Sequence, residues 1–222
     1  MPNAIGSAMK RSFTTLIEGP VGKIEVLIDE PSNGPFGIAI IAHPQPLLGG
    51  SAAHKVPHVL ARASRDDGWL AIRPNFRGVG ASEGAHDHGN GEADDIIVLI
   101  DAFQTSFPGL PLALIGFSFG AFVQSRVAQL LQARGTSVDR IALLGLPVGE
   151  VAGQRNYATG AVGQNAIVVH GELDERVSLG AVFAWGRALD RPITVIPGAD
   201  HFFTGRLLLL KSIVMSYISS AA

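Results

Sequence analysis

A run of apolar residues from Leu110 to Ile115 breaks at Gly116-Phe117-Ser118-Phe119-Gly120, and a helical pattern begins at Ala121. Few features constrain a chain more. The run reads as a buried strand, and Gly-x-Ser-x-Gly between strand and helix forces a sharp turn with the serine at its apex. That turn lifts the hydroxyl clear of the sheet. Glycine is needed at both ends because a side chain there would collide with the adjoining strand and helix. Ser118 therefore reads as a nucleophile.

The five letters alone are a weak signal. With 27 glycines in 222 residues, a chance match is expected roughly 0.2 times per chain of this composition. A second match does occur, at Gly80-Ala81-Ser82-Glu83-Gly84. The strand-like segment Trp69 to Arg73 ends well before it, and the residues from Ala85 to Gly91 that follow have no helical period. Ser82 is therefore expected in a loop.

Around the elbow, strand and helix signals alternate. Phe13 to Glu18 and Lys23 to Ile28 read as strands joined by the hairpin signal Gly19-Pro20-Val21-Gly22. Gly37 to Ala42 is continuously apolar, as a central parallel strand should be. His54 to Asp66 reads as a helix, Trp69 to Arg73 as a strand, and Glu92 to Phe107 as an amphipathic helix. Leu112 to Ile115 is a strand, Ala121 to Arg134 a helix and Arg140 to Leu144 a strand. After an irregular stretch come Ala166 to Val169 (strand), Ser178 to Leu189 (helix), Ile193 to Ile196 (strand) and a final helix to about Ser219. Such alternation demands crossover connections, hence an α/β fold with a mostly parallel central sheet, helices on both faces and an N-terminal antiparallel hairpin. Ligands of such sheets sit at the carboxyl ends of the strands.

Composition fits that reading. Hydrophobic residues make up 47% and charged residues 16%, which suits strands covered on both faces within one domain spanning residues 13–222. Residues 1–12 are expected to be a flexible N-terminus. A net charge of -2 with no basic run gives no electrostatic case for nucleic acid or an anionic membrane. There is no cysteine, which excludes disulfides, thiolate metal sites and a cysteine nucleophile. No apolar stretch of signal-peptide length follows Lys10 and Arg11, and Leu207 to Ile218 is interrupted by Lys211 and Ser212, too short to span a bilayer. The expectation is a cytoplasmic protein without membrane insertion; a homodimer and a monomer are both open.

A nucleophilic serine needs a base, and the base an orienting acid. Of the 7 histidines, His201 follows the last strand at the carboxyl edge of the sheet. His170 and His43 also follow strands but lead into turns that they are expected to anchor. For the acid, Asp174 lies just past a buried strand in His170-Gly171-Glu172-Leu173-Asp174-Glu175-Arg176-Val177, with Glu172 and Glu175 as near neighbours of suitable type. The order Ser118, Asp174, His201 is that of a strand-elbow hydrolase. Asp200 reads as a turn former. An oxyanion needs backbone N–H donors. Phe119 supplies one; in His43-Pro44-Gln45-Pro46 the prolines have no N–H, which leaves Gln45 as the second. Leu47, Leu48, Phe117 and Phe202 are candidate walls for an apolar acyl group. His86-Asp87-His88 lacks a third ligand pattern for a metal, and neither Gly78-Val79-Gly80 nor Gly89-Asn90-Gly91 opens a helix as a phosphate loop would.

Taken together, Ala42-His43-Pro44-Gln45-Pro46 with Gly49-Gly50, the segment Arg73 to Gly84, the elbow at Ser118, His170-Gly171 through Asp174, and Gly198 through His201 resemble the α/β-hydrolase superfamily from about Phe13 onward. The chain is similar to small capless bacterial hydrolases with a His-Pro-x-Pro oxyanion loop and an Asn-Phe-Arg-Gly-x-Gly-x-Ser-x-Gly segment, commonly described as predicted esterases or dienelactone-hydrolase-like proteins. That group often has His-Pro-His-Pro, and here Gln45 replaces the second histidine. Dienelactone hydrolases proper use a cysteine nucleophile, which this chain lacks, and the superfamily's dehalogenases place aspartate at the elbow. The resemblance implies hydrolysis of a small-molecule carboxylic ester, thioester or amide without metal or organic cofactor. Larger relatives insert a cap after the strand that here ends near Leu146, and Pro147 to Asn165 is too short for one. A catalytically silent binding module, or a cofactor-free acyltransferase or perhydrolase with the same residues, are the alternatives.

Overall fold

The strand before the elbow is buried along its whole length. Leu112–Phe117 (β5) turns Leu112 and Leu114 to one face of the sheet and Ala113, Ile115 and Phe117 to the other, and both sets are covered. Burying each large apolar side chain contributes about 1.5–3 kcal/mol, so a strand apolar on both sides is stable only in the middle of a three-layer structure. In the computed structural model, which describes residues 11–153 and 155–220, it is there.

In chain order the elements are β1 (Arg11–Glu18), β2 (Lys23–Glu30), β3 (Gly37–Ala42), α1 (Lys55–Asp66), β4 (Trp69–Pro74), α2 (Asn90–Ser106), β5, α3 (Phe119–Ala133) and β6 (Arg140–Leu144). There follow β7 (Gly149–Val151), β8 (Arg155–Tyr157), β9 (Ala166–Gly171), α4 (Leu179–Ala188), β10 (Thr194–Ile196) and α5 (Leu207–Ile218). Among the described residues eight strands form the main sheet, in the order β1-β2-β4-β3-β5-β6-β9-β10. The β1–β2 and β2–β4 pairs are antiparallel and all the others parallel. One face packs residues of α2, α3 and α4, such as Ile96, Val123 and Trp185; the other packs α1 and α5 through Leu60 and Val214.

The expected α/β architecture is therefore present, with a mostly parallel sheet, an N-terminal hairpin and, among the described residues, no cap domain. Two differences have physical causes. The proposed flexible segment lies largely outside the described residues, but Arg11 and Ser12 begin β1, where they pair with Glu30 and Asp29. The stretch after Leu146, read as irregular, contains the β7–β8 hairpin. Its strands are three residues each, too short for a period-2 pattern to stand out from noise.

Candidate active site

The elbow begins with two close approaches. A Cβ on Gly116 would sit 2.6 Å from Ala121 Cα, and one on Gly120 would sit 2.6 Å from the His43 carbonyl oxygen. With both positions bare, the helix packs directly on the strand end and on the loop after β3. Ser118 is left at φ 54, ψ -122, a region that an L-residue occupies only under constraint, at a cost of about 1–3 kcal/mol. Its N–H donates to the Leu144 carbonyl at 2.8 Å, and its own carbonyl accepts from Ala121 and Phe122. Helix α3 thus starts two residues before the expected Ala121, because the elbow residues themselves form its first turn.

His201 is brought to the serine by the loop after β10. Gly171 makes this fit: a Cβ there would lie 2.6 Å from the Asp200 carbonyl oxygen. The Glu172 and Leu173 N–H groups donate to the Ile196 and Ala199 carbonyls, at 3.1 and 2.8 Å. The turn after β9 and the loop after β10 are thereby stitched together. Across the seam His201 Nδ1 lies 2.7 Å from Asp174 Oδ2, and His201 Nε2 lies 2.9 Å from Ser118 Oγ. Asp174 Oδ1 accepts from the Arg176 and Val177 N–H groups, both at 2.9 Å. Burial pushes this carboxyl up, but the hydrogen bond and charge interaction with His201 and the Val177 N–H outweigh it, and the net shift is downward. Of the neighbouring acids, Glu172 accepts from Gly198 N–H instead, and Glu175 is exposed. Asp200 holds its turn by accepting from Phe202 and Thr204 N–H groups.

The loop after β3 carries Gln45. His43 is fully buried, and its Nε2 accepts from Phe76 N–H at 3.0 Å, so its proton is on Nδ1, which donates to the Pro44 carbonyl at 2.7 Å. Burial lowers the His43 pKa from 6.5 to about 3 and keeps the ring neutral. In a trans peptide the C=O and the following N–H point in opposite directions. Holding the Pro44 carbonyl therefore aims the Gln45 N–H away from His43, and Gln45 lines the cavity above Ser118. Among the described residues neither the Gln45 N–H nor the Phe119 N–H has an acceptor in the protein. The Phe119 N–H is one of the unspent donors at the start of α3. The Gln45 side chain donates from Nε2 to the Tyr157 hydroxyl at 3.1 Å.

Ser118, His201 and Gln45 line a cavity of about 250 Å³ with Leu48, His54, Pro147, Val151, Arg155, Tyr157, Arg176, Val177 and Phe202. Leu48 and Phe202 are among its walls. Leu47 instead faces a neighbouring cavity with His86, His88 and Phe119. Phe117 is a correction: it is 1% exposed, packed under the His201 and His54 rings at centroid distances of 5.3 and 5.6 Å. Strand alternation sends its side chain to the α1/α5 face rather than up into the cavity. Sequence reasoning missed Arg155, Tyr157, Arg176 and His54. Only Arg176, next to the acid turn, had a local signal.

The remaining candidates have structural roles. Ser82 Oγ donates to the Asn75 carbonyl at 2.7 Å and accepts from Glu25 N–H, in a loop as expected. His170 Nε2 lies 3.1 Å from the Val177 carbonyl, anchoring the acid turn. His86 Nδ1 lies 2.8 Å from Glu92 Oε1. No group of three or more His, Cys, Asp or Glu among the described residues is placed to hold a metal ion. No helix among them is long and apolar enough to cross a membrane.

Residues 47–192 match the family model described as the alpha/beta hydrolase fold. An uncharacterised protein of Rickettsia prowazekii is 31% identical over 193 residues, which cover 83% of this chain and 79% of that protein. A serine hydrolase without a lid from Xanthomonas campestris superposes with a TM-score of 0.83 at 31% identity, covering 96% of this chain and 97% of that one. An alpha-beta serine hydrolase homologue from Coxiella burnetii gives 0.79 at 33% identity, over 93% and 97%. The elbow, the parallel sheet and these relatives agree, and the chain belongs to the α/β-hydrolase fold family.

Proposed function

We propose that this protein is a serine hydrolase that cleaves a small carboxylic ester through an acyl-enzyme at Ser118. The relay Asp174–His201–Ser118, with contacts of 2.7 and 2.9 Å, is the observation that carries the reading. Asp174 fixes the His201 proton on Nδ1, so Nε2 is free to accept the serine proton as Oγ attacks the carbonyl carbon. The resulting oxyanion is met by the Gln45 and Phe119 N–H groups, neither of which must break a protein hydrogen bond to reach it. His201 then gives its proton to the leaving alkoxide. In the second half a water loses its proton to Nε2 and attacks the acyl carbonyl, and His201 returns that proton to Ser118 Oγ as the acid is released. No step calls on a metal or organic cofactor.

The cavity supports a small substrate. About 250 Å³ is below the range of about 300–1,000 Å³ typical of drug-sized ligand sites, so a short acyl group fits best. Ser118 stays partly exposed, consistent with the lidless fold. The test is labelling with a fluorophosphonate, mapping of the adduct, and rates on p-nitrophenyl esters of graded length. Labelling at Ser118 that disappears in Ser118→Ala and collapses in His201→Ala is expected, with kcat/KM highest for acyl groups of two to four carbons. Absence of labelling at every serine would transfer support to a silent binding module.

A further inference from the structure

The cavity walls around the β7–β8 hairpin offer donors and no acceptor charge. In β8, Arg155 and Tyr157 are two residues apart and share one face, and Val151 pairs with Arg155 across the hairpin. All three line the cavity, while Asn156 between them is exposed. Ala152 ties this hairpin to the turn that carries Asp174: its N–H donates to the Arg176 carbonyl at 3.1 Å, and its carbonyl accepts from Arg155 Nη2 at 2.9 Å. Arg176 comes to the same rim and lays its guanidinium over the Phe202 ring, 5.1 Å from the centroid.

Arg155 and Arg176 thus both line the cavity, and among the described residues neither has a carboxylate ion-pair partner. Among the described residues no Asp or Glu lines the cavity. Glu150, Glu172, Asp174 and Glu175 line a neighbouring depression that shares Val151 and Arg176 with the cavity. Tyr157 adds a third donor. It is 7% exposed, and its hydroxyl oxygen already accepts from Gln45 Nε2. A phenol has one proton, and no protein group among the described residues receives it. A guanidinium without an anionic partner is left to solvent, and a buried unspent donor is costly. A bound carboxylate relieves both, since its two oxygens match the fork of a guanidinium.

We propose that the rim formed by Arg155, Tyr157 and Arg176 is a carboxylate-binding subsite, and that the ester cleaved at Ser118 carries a carboxylate on its acyl or alcohol part. The subsite takes its place in catalysis from the serine hydrolase reading above, but its binding can be measured without turnover.

Two matched pairs test it: 4-acetoxybenzoate against methyl 4-acetoxybenzoate, and mono(4-nitrophenyl) adipate against 4-nitrophenyl hexanoate. Rates are divided by the hydroxide-catalysed rate of each ester. In at least one pair the anion is expected to have the higher kcat/KM, by about tenfold or more. That ratio should fall about tenfold in Arg155→Gln or Arg176→Gln, and also fall with rising ionic strength. Calorimetry on Ser118→Ala with the same four esters should show tighter binding of the anion in the same pair. If neutral members are preferred or equal in both pairs, in rate and in calorimetry, the subsite is overturned. If the anions bind selectively but no ester is cleaved and no serine is labelled, the subsite stands and the hydrolase reading fails.

Discussion

Acidification should destabilise this protein through His43 in particular. The ring is fully buried and its pKa is lowered from 6.5 to about 3, burial being the main cause. In the unfolded chain the same imidazole titrates near 6.5. Above pH 6.5 both states leave it neutral and it contributes no pH dependence. Between 6.5 and about 3 the unfolded state binds a proton that the folded state refuses, so stability falls as pH falls. Each pH unit in that window costs about 1.4 kcal/mol, so going from pH 7.5 to 5.0 crosses 1.5 units and costs about 2 kcal/mol. That is a large share of the 5–15 kcal/mol typical of a domain. Urea unfolding at both pH values, on the wild type and on His43→Asn, isolates the contribution. Asparagine does not titrate and can still donate to the Pro44 carbonyl. The variant starts less stable, because the Phe76 N–H loses its acceptor, but its loss from pH 7.5 to 5.0 should be smaller by about 2 kcal/mol. Equal losses in the two proteins would refute the assignment.

Two further predictions concern the elbow and the acid. Ser118→Gly should be inactive yet more stable than wild type by about 1 kcal/mol, since glycine adopts φ 54, ψ -122 freely; a thermal melt raised by about 2–4 °C reads this out, and an unchanged or lowered melt would show that the turn stores no strain. Asp174→Asn should leave the fold intact and lower kcat on p-nitrophenyl acetate by roughly 10³–10⁴-fold, because an amide facing His201 Nδ1 favours the wrong tautomer; a loss under tenfold would remove Asp174 from the relay.

Where the sequence was readable, it was because buried strands and close backbone approaches leave local marks. Continuous apolar runs such as Gly37–Ala42 have no other stable place than a covered parallel sheet, and that strand was read with its observed ends. Gly116 and Gly120 announce the elbow because the helix sits on backbone. The walls of the cavity were not readable, for a different reason. Arg155 and Tyr157 project from a three-residue strand whose pairing depends on Val151 and Gly149 across a turn, and Phe117 was misplaced because proximity in sequence to Ser118 says nothing about which face of the sheet receives its side chain. Chemistry placed at strand ends is local; the surface that selects a substrate is assembled from segments far apart in the chain.

The same separation bears on how the proposed relay keeps its charge. His170 lies 3.4 Å from Asp174 Oδ2, the oxygen that also faces His201. Were His170 protonated, it would neutralise the carboxylate and weaken the field that stabilises an imidazolium at His201. Burial opposes this: it lowers the His170 pKa despite the pull of Asp174 and of the Val177 carbonyl. A neutral His170 can still donate from Nε2 to Val177, holding the turn that presents Asp174, while the carboxylate's charge is left to His201. Replacing His170 with a permanent cation of similar reach should therefore damage catalysis more than replacing it with a neutral residue, even where both variants fold. Burial thus separates two histidines that share one acid: the fully covered one braces the turn, and the one at the cavity is left to move the proton in the proposed mechanism.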